Sequence, residues 1–419
     1  MVNNGCQQIP SCGSRRLKAS VSFFSAIALL LVFGLTQPVH GQTFSLIHVF
    51  TNRDDGSSPN SIVIDRAGNL YGTSLSGVFR VKPENGGWIF TPLCTLAGYE
   101  PVSVTLAPNG VLYGTTITGG LHGSGCGTYG CGVVFRVQPP ARASGTVLGG
   151  WNETVLYEFT GIPDGATASG GVVLDQAGNL YGTTAEGGEL GRGTVYELTP
   201  SNGSWTETIL YAFTGVEDGM SPWAGLVFDQ QGSLYGTTTT GTPLYAAGTI
   251  YKLSPSGSGW TEHILYYLNG GSDGESPVTR LIFDPSGNLY GAAASGGTQL
   301  DGTAFELTAN PNGSWNFGAL YDFSGSRTGF QPPYGPLIID AAGNLYGTWV
   351  NAGSYGLGSV FKLTPSNGGW SYTSLHDFTG GIDGSYPISG VVMDANGNLF
   401  GGTLEGGEYG AGVLFEITP

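Results

Sequence analysis

Short apolar runs separated by Gly, Pro, Asn and Ser fill the chain, and they follow two patterns. One is apolar at nearly every position, as in Val172-Val173-Leu174 and Leu281-Ile282-Phe283, and predicts a strand covered on both faces. The other alternates, as in Trp205-Thr206-Glu207-Thr208-Ile209-Leu210-Tyr211, and predicts an outer strand with one wet face. One full unit reads Gly225 to Asp229, a turn, Leu234 to Thr238, a glycine-bearing loop, Thr249 to Leu253, the turn Pro255 to Gly259, and Trp260 to Leu268. Runs this rich in β-branched and aromatic residues predict four antiparallel strands, lettered a to d from the inside outwards.

The unit repeats. Gly-Asn-Leu-Tyr-Gly-Thr or a near copy places its aromatic at Tyr71, Tyr113, Tyr181, Tyr235, Tyr290, Tyr346 and Phe400, with gaps of 42, 68, 54, 55, 56 and 54 residues. The two odd gaps are together twice 55, so one repeat is trimmed and its neighbour enlarged. Residues 42–419 divided by seven give 54 per repeat, a period that predicts a seven-bladed β-propeller of four-stranded antiparallel blades. Phe44 to Phe50 reads as a d strand, whereas the chain closes on Val413 to Ile417, a c strand. The N-terminal strand is therefore expected to pair into the last blade, closing the ring and removing its open edge.

The recurring Gly-Leu-Val-Phe-Asp, Gly-Asn-Leu-Tyr-Gly-Thr-Thr, Gly-Gly and Thr-Val-Tyr-Glu-Leu-Thr-Pro resembles the GloVer tandem-repeat family of exported bacterial proteins. The resemblance covers nearly all of residues 42–419. It implies the fold and export, and it implies no activity. Members carry varied C-terminal anchors, and this sequence departs from them by running to Pro419 without one. The a-turn-b portion is also similar to propeller repeats of the NHL type.

Glycine, at 74 of 419 residues, and a charged fraction of 11% suit short strands and tight turns. Three of the 14 basic residues, Arg15, Arg16 and Lys18, lie in the first 41 residues, which hold no acidic one. The remainder thus carries 11 basic against 30 acidic residues, and nucleic acid and anionic membrane surfaces are excluded as partners. The same three cations precede an apolar run from Val21 to Leu35 and the small-residue site Val39-His40-Gly41, the order of a secretory signal peptide over 1–41. Too short a run to span a bilayer, it predicts a cleaved, secreted or periplasmic chain whose residues 42–419 form one domain without membrane insertion.

Candidate chemistry is sparse. Asp65, Asp175, Asp229, Asp284, Asp340 and Asp394 end strand a in six of seven repeats; a catalytic group needs a unique environment, so they are expected to cap their own a–b turns. Asp55, Asp164, Asp218, Asp273 and Asp383, each before a Gly, lie between strand d and the next strand a; one or two carboxylates per loop are fewer than a calcium loop offers, and turn chemistry is the default. His48, His263 and His376 fall in d strands and His122 stands alone, with no metal-ligand spacing and no neighbouring nucleophile. No cofactor and no metal site are expected. Cys94 reads as a buried small hydrophobe, and Cys126 and Cys131 as a disulfide in an exported loop.

The a–b turns repeat almost unchanged while the b–c loops vary, and varied loops on a fixed scaffold are where binding resides. Those loops carry Tyr245, Tyr355 and Tyr409 beside Glu186, Glu189, Asp301, Glu405 and Glu408. Aromatic platforms with carboxylate acceptors suit a glycan or a protein surface. Two readings follow: a monomeric binding or scaffold module, and a carbohydrate-active lyase or hydrolase with its site at the channel mouth. The absence of a local catalytic motif favours the first.

Overall fold

Each repeat becomes one blade because turns and a longer b–c loop join its four runs as successive antiparallel hairpins. The structure, a computed structural model, describes residues 42–418 apart from 97, 124, 125, 127, 144, 145, 149, 242–246, 258 and 325–334; of residues 141–149 it describes the backbone only. Among the described residues there are strands and no helices. Seven antiparallel sheets of four blade strands each, that of blade 5 with a further short strand, Glu275–Pro277, on its b strand, form a seven-bladed β-propeller. In blade 4 the strands are a, Val227–Phe228; b, Leu234–Thr238; c, Thr249–Ser256; and d, Gly259–Tyr267. The trimmed repeat is blade 1, where Leu75 and Ser76 alone join strands b and c. The enlarged one is blade 2, whose c–d connection holds a small ribbon of Ala141–Ala143 and Thr146–Leu148.

Closure follows the predicted route. The order of the last sheet is Thr43–Val49, Val413–Thr418, Leu399–Gly402, Val391–Met393, so the first strand of the chain is the d strand of blade 7. Phe44 pairs with Ile417 and Val49 with Val413. The Phe50 amide then donates to the Gly412 carbonyl at 3.1 Å.

Two features absent from any single repeat bind blade to blade. The b-strand tyrosine of one blade meets the d-strand tryptophan of the next edge-on: Tyr71 with Trp151, Tyr113 with Trp205, Tyr181 with Trp260, Tyr235 with Trp315 and Tyr290 with Trp370, at 6.1 to 6.5 Å. Trp88 on Phe400 at 5.7 Å continues the series from blade 7 to blade 1. The junction of blades 6 and 7 has no tryptophan, and there Phe44 stacks on His376 at 3.9 Å. The second feature is a register shift in every c–d ladder, which skips Leu93, Leu156, Leu210, Leu265, Leu320, Leu375 and Ile47. A bulge adds twist and turns its residue. Each skipped aliphatic packs into an inter-blade core. The alternation expected of strand d therefore holds only for its first half.

The d–a loops are tied by their aspartates. Asp218 accepts from the Tyr211 hydroxyl at 3.0 Å, the Thr214 amide at 2.7 Å and the Thr214 hydroxyl at 2.8 Å. His48 and His376 occupy the Tyr211 position and bond Asp55 and Asp383 at 3.1 Å; burial holds both imidazoles below their ordinary pKa. Asp273 has Asn269 where the others have Thr, and its Oδ1 is buried without a partner. Asn269→Thr supplies the missing hydroxyl and should stabilise the fold by about 1 kcal/mol, read from the midpoint of a urea melt.

Candidate ligand-binding face

An antiparallel blade sends its a–b and c–d turns to one face of the disc and its b–c and d–a loops to the other. On the first face the polar groups are consumed locally. Asp65 Oδ1 accepts from the amides of Ala67 and Asn69 at 2.8 and 2.9 Å, and its Oδ2 from Asn69 Nδ2 at 2.7 Å and the Tyr71 hydroxyl at 3.3 Å. The same cap recurs at Asp175, Asp229, Asp284, Asp340 and Asp394. These six carboxylates are structural.

The opposite face is different. Apart from Leu46 and Ile89 in d strands, every exposed large hydrophobic side chain of the described residues lies in its loops, including Tyr129, Leu190, Val216, Trp223, Leu300, Tyr355, Ile382 and Tyr409. Backbone bridges hold these loops, since Ala166 pairs with Glu186 and Ser385 with Glu405 across the d–a and b–c loops. Asp322 and Asp377 tether two others through Thr298 and Ser354. Glu186 and Glu189 in blade 3, and Glu405, Glu408 and Tyr409 in blade 7, are exposed at equivalent loop positions. Tyr355 is exposed in blade 6, Asp301 is half-buried in blade 5, and Tyr245 lies outside the described residues. These candidates stand around the rim of the disc, and no hydrogen bond or ring contact joins the described glutamates and tyrosines to one another. Cys126 and Cys131 form a disulfide in the b–c loop of blade 2, their Cα atoms 4.8 Å apart. Cys94 is half-buried, not fully buried, and desolvation pushes its thiol up to about 11.

At the axis this face opens into a cavity of about 450 Å³, lined by the start of each strand a and the residues before it. Four places before the strand-a aspartate stand Ser61, Gly171, Gly225, Arg280, Pro336 and Gly390, with Ser103 in blade 2, where Ala107 replaces the aspartate. Six of the seven are small or uncharged. Arg280 is the one charged residue lining the cavity among the described residues, and Trp223 lies at the mouth. Neither residue stood out in the sequence, although the break in the repeat at Arg280 was a readable signal. Its side chain keeps contact with the water of the channel while protein rings it, and that partial desolvation holds the guanidinium below the ordinary arginine pKa; it stays protonated at any working pH.

Other unusual titrations lie away from this face's axis. Burial, with Asp164 and Asp218 nearby, pushes Glu207 and Glu262 in d strands up to about 7. Among the described residues no group of three or more His, Cys, Asp or Glu side chains has the arrangement to hold a metal ion.

The model of the Gloeobacter/Verrucomicrobia repeat matches residues 31–243, 124–315 and 229–419. The chain belongs to that repeat family. No curated protein matches the sequence. Among solved structures, this repeat protein is similar to a virginiamycin B lyase from Staphylococcus aureus, at 12% identity and a TM-score of 0.54 over 90% of this chain and 99% of that one. It is also similar to a streptogramin B lyase, at 12% identity and a TM-score of 0.53 over 90% and 97%. The extracellular domain of a hybrid two-component system from B. thetaiotaomicron matches with 12% identity and a TM-score of 0.53, over 90% of this chain and 42% of that one. At such identity the likeness is one of fold.

Proposed function

We propose that this family member is an exported, monomeric binding propeller that takes a glycan or a protein surface on the face formed by the b–c and d–a loops. The observation that supports it is the segregation of exposed apolar side chains. Loops with Tyr129, Leu190, Trp223, Tyr355 and Tyr409 outward share one face, whereas the opposite face spends its polar groups on its own turns. Exposed apolar side chains gathered on the varied loops of one face mark that face as the side an interaction would use. Export rests on the basic, apolar and small-residue order of residues 1–41 and agrees with the disulfide of blade 2.

The test is a glycan and protein array probed with residues 42–419, followed by replacement of Tyr245, Tyr355 and Tyr409 with Ala. Tyrosine anchors often contribute 2 kcal/mol or more, so the triple variant should bind the array's ligand at least about 30-fold more weakly with little change in melting temperature. Binding that survives this change and disappears when the a–b turns are altered would place the ligand on the other face.

A further inference from the structure

The axial cavity contains a positive charge that no described residue pairs with. Every serine, threonine and asparagine side chain in the lining is committed to protein. Asn60 donates to the Pro101 carbonyl at 3.4 Å, Ser61 accepts from the Val104 amide at 3.3 Å, and Ser103 pairs with Thr115 at 3.1 Å. Thr105 donates to the Val172 carbonyl at 2.7 Å, Ser169 to that of Trp223 at 2.9 Å, and Ser389 to that of Gly390 at 2.9 Å. Arg280 has no hydrogen-bond or ion-pair partner among the described residues. The residues outside that range contain no Asp or Glu, so no side-chain carboxylate is available to it from there either. A guanidinium on the wall of a water-filled cavity, with no carboxylate partner among the described residues, is free to take an anion, and a carboxylate matches its fork.

The surroundings narrow the ligand. One guanidinium matches one negative charge; a dianion would leave a surplus in a protein whose formal charge is already −16. The arginine stem runs beside Gly225 of the preceding blade, where a Cβ would stand in ordinary contact, 3.4 Å, with Arg280 Cδ. Two residues earlier on that same segment is Trp223, exposed, with no ring contact among the described residues, and lining the same cavity. An aromatic face beside a forked cation suits a ring that bears a carboxylate, and 450 Å³ is within the range of small-molecule sites.

We propose that the axial cavity is a binding site for a sugar acid, with its carboxylate held by Arg280 and its ring laid on Trp223. The site shares with the proposed function only its choice of face, and it uses none of the loop tyrosines or glutamates.

Titration calorimetry of residues 42–419 with D-glucuronate and D-galacturonate, and with neutral D-glucose and sulfate as controls, tests it. At least one of the acids should bind, and glucose and sulfate should bind about tenfold more weakly or not at all. Arg280→Met should reduce affinity at least about tenfold, Arg280→Lys less, because a point charge replaces a fork, and Trp223→Ala roughly tenfold. Melting curves should show all three variants folded; if Arg280→Met does not fold, Arg280→Lys and Trp223→Ala carry the comparison. Binding of none of the acids, equal binding of acid and glucose, equal or tighter binding of sulfate, or affinity unchanged in the variants would overturn the proposal. The outcome separates from that of the loop reading. Glucuronate binding retained in the triple tyrosine variant keeps this site whatever the array shows, whereas an array ligand lost with the tyrosines keeps the loop reading even if no sugar acid binds.

Discussion

Removing residues 42–50 should abolish cooperative folding, although they make up a small part of the chain. Thr43–Val49 is the whole outer strand of blade 7, and its loss bares the edge of Val413–Thr418 along its full length. The side chains lost include Phe50, fully buried with Phe79 and Phe90, and Phe44, stacked on His376 and Phe415. Gln42 also ties the strand to blade 6 through the Leu375 carbonyl at 2.8 Å. At about 1.5 to 3 kcal/mol for each large apolar side chain, the loss is on the order of the whole stability of a domain. A deletion of 140–150, the small ribbon outside the blade-2 ladder, should lower the melting temperature far less. Relocation distinguishes closure from a simple loss of mass: residues 42–50 appended after Pro419 through a two-residue Asn-Gly turn should restore the melt, since Thr43 already pairs with Thr418. Failure of that permutant, or a strand deletion that melts no lower than the ribbon deletion, would show that closure is not what holds the ring.

The second large effect is expected at the glycine of Leu-Tyr-Gly-Thr. Gly236 has an ordinary strand φ, so its need for glycine is steric and not conformational. A Cβ at this position would run into the Tyr251 ring tip, at 2.6 Å from Cζ, and would sit 3.1 Å from a Leu226 methyl. The same collision recurs at Gly72, Gly114, Gly182, Gly291, Gly347 and Gly401, each against the c-strand aromatic of its own blade. Gly236→Ala should cost roughly 2 kcal/mol by overpacking, seen as a shift in denaturant midpoint. Tyr251→Leu should cost about as much by leaving a cavity. The two changes together should cost less than their sum, because the space vacated by the ring accepts the methyl. Additive losses in the double variant would locate the strain elsewhere.

The site was legible only in part. The face proposed for binding could be singled out, because loops that vary over a constant scaffold stand out when the repeats are aligned, and Tyr355 and Tyr409 are exposed on it. Whether Glu186 in blade 3 and Glu405 in blade 7 act together was not readable, since repeat position says nothing of distance across a ring. Arg280 and Trp223 each look like ordinary loop chemistry in the sequence until seven strand starts converge on one axis, where a single cation among small neutral residues becomes the chief polar feature.

For the blades themselves, local rules were sufficient. Hairpin-length turns, apolar runs at strand a and the Asp caps of the a–b turns are interactions within about fifty residues, repeated seven times, so the sequence by itself determined strand order, blade number and the closing partner. What only the tertiary structure decided lies between blades. The alternation of strand d fails where a bulge skips Leu210 and its equivalents, turning an aliphatic that reads as surface-edge into the seam with the next blade. The Tyr–Trp contacts join residues of adjacent repeats, and at the junction of blades 6 and 7, where Gln42 holds the tryptophan's place in the register, Phe44 stacks instead on the d-strand His376. Packing across a seam depends on which side chains face each other at a fixed twist, and a hydrophobic pattern along one strand carries no information about its neighbour's register.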